Sequence, residues 1–106
     1  MTSPQFLRLE PSGAHLNVHV FGEWVIHNAA ALKARLDEVP GEAMGAQRIV
    51  FECSGLEGMD TSGAWILHCA ARDLEAQGFQ IELRGLREED HRFFQRVVAG
   101  YEDEKV

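Results

Sequence analysis

Basic side chains are in short supply in this chain: ten Lys and Arg face seventeen Asp and Glu, a formal charge of −7. That balance repels nucleic acid and anionic lipid headgroups, and no Lys/Arg cluster overrules it, so proteins are the expected partner class. No run approaches the roughly eighteen consecutive apolar residues of a membrane span, and the N-terminus lacks the basic-then-apolar order of a signal peptide. The chain is therefore expected to be soluble and cytoplasmic, with no membrane insertion of its own. Cysteine is scarce as well. Cys53 and Cys69 have no paired close spacing, which argues against a thiolate metal site and predicts two reduced thiols in an intracellular protein. No glycine-rich loop leads into a Lys to cradle phosphate, so no cofactor is expected.

What is present suits one folded domain over residues 1–106, with 1–5 and 101–106 expected as flexible ends. Phe6, Leu7 and Leu9 suggest a first strand, closed by the turn signal Pro11-Ser12-Gly13. Leu16, Val18 and Val20 then alternate with His15, Asn17, His19 and Phe21, the period of a half-buried strand that Gly22 is expected to break. His15 and His19 share the second face, but no third ligand stands near them, and no metal site is predicted. Trp24 to Ile26 leads into a helix over about 28–39, capped near His27 or Asn28, buried through Ala29, Leu32, Leu36 and Val39, and stopped by Pro40-Gly41. Arg48 to Cys53 reads as a strand whose uninterrupted Ile49-Val50-Phe51 suits cover on both faces, followed by a loop over Ser54 to Gly58. Phe79, Ile81 and Leu83 alternate as a further strand. The final helix starts near Arg87 with Glu88, Glu89 and Asp90 favouring its positive end; Phe93, Phe94, Val97 and Val98 form its apolar stripe, and Gly100 ends it. The order ββαβαβα implies an α/β fold, a small mixed sheet with helices packed against it.

The stretch Met59 to Gly78 organises the rest. Asp60 and Thr61 supply cap chemistry, Ser62 and Gly63 permit close backbone approach, and Gly78 supplies the stop. At about 100° per residue, Gly63, Ile66, Leu67, Ala70 and Leu74 gather on a core face. Thr61, Trp65, His68 and Arg72 form the opposite stripe, so a large indole points away from the core beside a hydroxyl at the helix N-terminus. A docking surface is one reading; Thr61 as a plain cap and Trp65 as a core residue of a rotated helix is the other.

Three features together carry a resemblance: the apolar Ile49-Val50-Phe51, then Asp60-Thr61-Ser62-Gly63 opening a helix, then Gly78-Phe79-Gln80-Ile81-Glu82-Leu83. In that order they resemble the STAS family, the sulfate-transporter and anti-sigma-antagonist domains, and the element order extends the likeness over about the whole chain. The family implies a binding module and not an enzyme. In its anti-sigma-antagonist members the hydroxyl after the Asp is phosphorylated, which makes Thr61 the candidate phosphosite; a phosphate there would sit on exposed helix N–H groups. Antagonists commonly carry Leu after the motif Gly, whereas Gly63 is followed by Ala64-Trp65. That continuation, with Leu67-His68, is more similar to STAS segments fused to permeases of Mla-type lipid ABC transporters. The resemblance then implies a transporter ATPase and a membrane permease as partners, at the inner face of the membrane, and a contact set of Asp60, Thr61, Ser62, Trp65, His68 and Arg72. The alternative is an antagonist with an anti-sigma kinase as partner. Asp60-Thr61-Ser62-Gly63 also superficially resembles the aspartic-protease Asp-Thr/Ser-Gly, but Ser62 interrupts it and a helix follows where those enzymes continue as sheet. No Ser or Cys nucleophile has a base at motif spacing.

Overall fold

The computed structural model describes residues 6–104, with side chains described over 6–100. In chain order it forms β1 (Leu7–Ser12), β2 (His15–Trp24), a 3-10 turn (Ile26–Asn28), α1 (Ala29–Leu36), the single-turn α2 (Val39–Glu42), β3 (Arg48–Met59), α3 (Thr61–Ala76), β4 (Gln80–Arg84) and α4 (Glu88–Glu104). The four strands lie in the order β1-β2-β3-β4, antiparallel between β1 and β2 and parallel thereafter. The expected α/β architecture with a small mixed sheet is the one observed.

Register explains the two faces of the sheet. Leu7 and Leu9 stand opposite Val20 and Val18, Leu16 and Val18 pair with Ile49 and Phe51, and those pair with Ile81 and Leu83. Since side chains alternate along a strand, these fall on one face, where Leu32 of α1, Val39 of α2, Leu67 of α3 and Phe94 of α4 join them in a single core. The other face carries Arg8, Glu10, Asn17, His19, Arg48, Glu52, Glu82 and Arg84 by the same register, with cross-strand ion pairs such as Arg48 with Glu82. Val50 is buried on that face, level with Asn17 and Glu82, yet stands outside the main core. Ile49, Val50 and Phe51 are all buried, as the expected cover on both faces of this strand requires.

Besides α1, which ends at Leu36 and not near 39, four boundaries differ from expectation, each for a local reason. Gly22, at φ +80°, does not break β2: the strand bulges there and runs on to Trp24. Ser54 to Gly58 is not a loop but the second half of β3, with Gly55 paired to Phe21 and Leu56 to Gly22. A Cβ at Gly55 would lie 2.9 Å from the Phe21 Cβ, so glycine there permits close strand approach. Pro40 stands in the first turn of α2, where its missing N–H costs nothing, so the chain turns helical again where a stop was expected. Gly100 does not end α4, which continues to Glu104. The end segments 1–5 and 105–106 lie outside the described residues.

Two packing details position α3. At its C-terminus the Gly78 N–H bonds the Glu75 carbonyl and the Phe79 N–H the Leu74 carbonyl, with Gly78 at φ +103°, a Schellman stop that only glycine adopts readily. At its N-terminus a Cβ on Gly63 would fall 1.7 Å from the Trp24 carbonyl oxygen. Gly63 therefore lets the first turn of α3 sit directly on the end of β2.

Candidate functional site

The site is built where β2, β3 and α3 meet. The Trp24 carbonyl accepts from the Asp60 N–H at 3.1 Å, and the Trp24 indole N–H donates to the Phe21 carbonyl at 3.1 Å. Asp60 is the N-cap of α3: its Oδ1 accepts from the Gly63 N–H and its Oδ2 from the Ile26 N–H, both at 2.9 Å. One carboxylate thereby ties the helix start to the turn after β2. Partial burial pushes its carboxyl upward, but the N–H donors of Ile26, Gly63 and Ser62 outweigh this and hold it below the usual carboxylate range. Asp60 thus holds the platform from which its neighbours project.

Thr61 follows the cap at the first helical position and is exposed, so the cap is Asp60 alone. Asp60 already accepts from the N–H groups of Ser62 and Gly63, so the helix start expected to seat a phosphate is shared with a carboxylate. A phosphate on Thr61 would bring about −1.5 to −2 charges beside an existing carboxylate. Ser62 is half-buried.

The helix phase holds. Gly63, Ile66, Leu67 and Leu74 are buried with Ala64 and Ala71, while Trp65 is half-buried, lies outside the main core and borders a surface groove between α1 and α3. Arg72 is exposed on the same stripe. His68 departs from it: its ring stands 5.4 Å from Trp65 and 6.3 Å, edge-on, from the buried Phe94 of α4. It is therefore a half-buried wedge between α3 and α4 that backs the indole.

Sequence reasoning missed Ile26, which is 65% exposed and whose N–H is held by Asp60. A non-periodic apolar residue in a turn gives no signal of its face until the tie to Asp60 is known. Ile26, tied to Asp60, with Thr61 next to Asp60 and Trp65 one turn on, sets an apolar group, a hydroxyl and an indole about the start of α3. Among the described residues no three metal-ligating side chains cluster, and no helix is long and apolar enough to cross a membrane.

A family model described as "Mlab, STAS domain" matches residues 7–100. Among solved structures, the Bacillus cell-fate determinant SpoIIAA in its phosphorylated form is 22% identical, with TM-score 0.63 over 89% of this chain and 85% of that one. RsbS from Moorella thermoacetica is 15% identical, with TM-score 0.71 over 86% and 76%. The murine anion transporter Slc26a9 is 15% identical, with TM-score 0.70 over 82% of this chain and 14% of the transporter. Likeness at these identities shows the fold. A comparison with curated protein sequences finds no match.

Proposed function

Because the chain belongs to the STAS-domain family, in the group described as Mlab, we propose that it is a non-catalytic docking module of an Mla-type lipid ABC transporter. Its partner is the transporter's ATPase subunit, with the membrane permease reached through that assembly at the cytoplasmic face. The observation that supports this most is the exposed Thr61 beside an outward Trp65, on a platform rigidified by Asp60 and by His68 against Phe94. An aromatic anchor on a rigid element beside a polar group is the composition of an interface centre. Arg72 extends the same face by two turns and supplies a rim charge.

A second reading, an anti-sigma antagonist switched at Thr61, is favoured by the exposure of that hydroxyl at the helix start. Both readings predict that added charge at Thr61 weakens docking, since Asp60 already holds one negative charge there. They differ in the partner. Affinity capture of the ATPase subunit by the chain, and its loss with Trp65→Ala and Thr61→Glu, supports the transporter reading. Capture unaffected by both variants overturns it, and stoichiometric phosphorylation of Thr61 by an anti-sigma kinase favours the second reading.

A further inference from the structure

We propose that the groove between α1 and α3 seats an amphipathic helix of the partner protein whose apolar stripe is flanked by Lys or Arg. The inference rests on the docking function proposed above and deepens it. The groove has a volume of about 490 Å3 and includes Trp65, one turn along α3 from Thr61, so it continues the docking face along the helix. Its floor is apolar, made by Leu36 of α1 and Ile66, Ala70 and Leu74 of α3. Trp65 and Cys69 form one wall, half-buried in the isolated chain.

Two helices side by side leave a trough that a third helix fills with residues at i, i+3, i+4 and i+7, the spacing by which helix-in-groove recognition works. Charge decides the occupant. Asp37, just past the end of α1, and Asp73 on α3 line the groove, with Lys33 the one cation among its described lining residues, and the whole chain carries −7. Residues flanking an inserted apolar stripe must pass these carboxylates, so basic flanks are drawn in and acidic ones repelled. The same carboxylates oppose a phospholipid headgroup, which favours a protein helix over a lipid.

Cys69 gives a test without mutation. Cys53 is buried and its thiol pushed up to about 12, by burial first and by Glu52 second, so a bulky maleimide modifies Cys69 selectively and plugs the groove. The modified chain, checked for an unchanged unfolding midpoint, is titrated with the ATPase subunit. The expected result is a loss of about tenfold or more in affinity. The double variant Asp37→Arg, Asp73→Arg, at exposed positions, is expected to lose about tenfold as well, and it decides the matter if alkylation perturbs the fold. Undiminished affinity in the charge-reversed chain, or in a folded, plugged one, overturns the inference. Should Thr61→Glu still abolish binding in that case, the docking function stands and only the helix is removed; should every variant bind normally, both fall.

Discussion

The two tryptophans show how one residue type serves opposite ends. Trp24 closes β2, is fully buried and satisfies its indole N–H on the Phe21 carbonyl. Trp65 stands outside the core on the far side of α3. Between them lies Gly63, which touches the backbone of Trp24 from the inner face of the helix, while Trp65, two residues on, is turned about 200° away. The inner contact therefore fixes the phase of α3 and so fixes where the outer indole points. Stability belongs to Trp24 and Gly63, and recognition to Trp65.

The largest effect that would sharpen this contrast is Trp24→Ala, expected to cost about 3–5 kcal/mol and read by denaturant unfolding. Gly63→Ala follows at about 3 kcal/mol, because a methyl group 1.7 Å from a carbonyl oxygen forces the helix to shift. A Gly63→Ala chain as stable as the parent would break the phase argument. Asp60→Ala removes a helix cap and the tie to Ile26 together, with an expected loss of about 1–3 kcal/mol at neutral pH. Its signature is the acid limb. The folded-state pKa of Asp60 lies below the unfolded one, so its contribution is present above the ordinary carboxylate value and disappears as pH falls through the lowered one. Asp60→Asn should flatten that part of the stability curve while leaving the neutral-to-alkaline part parallel to the parent's. His68→Ala, which removes the support behind Trp65, is expected to cost about 1 kcal/mol in unfolding free energy.

Most of the fold was legible because its apolar periods are clean. Leu16, Val18 and Val20 announce β2 by alternation, and Ile66, Leu67 and Leu74 announce the buried face of α3 by helical spacing. The second half of β3 was not, since Ser54-Gly55-Leu56-Glu57-Gly58 has the composition of a turn. Its glycine at 55 is used for close approach to Phe21, and only the buried Leu56 hints at a strand. In the candidate site, the Thr61–Trp65–Arg72 stripe was readable from phase alone. The commitment of Asp60, the wedging of His68 against Phe94 and the exposure of Ile26 were not, because each depends on an element distant in sequence.

The division of labour between the two tryptophans is decided by two properties of one Trp65→Ala sample: its unfolding free energy and its calorimetric affinity for the ATPase subunit. Stability within about 1 kcal/mol of the parent is expected, with a binding loss of about 2 kcal/mol, close to thirtyfold. A large loss of stability with unchanged affinity would contradict that division.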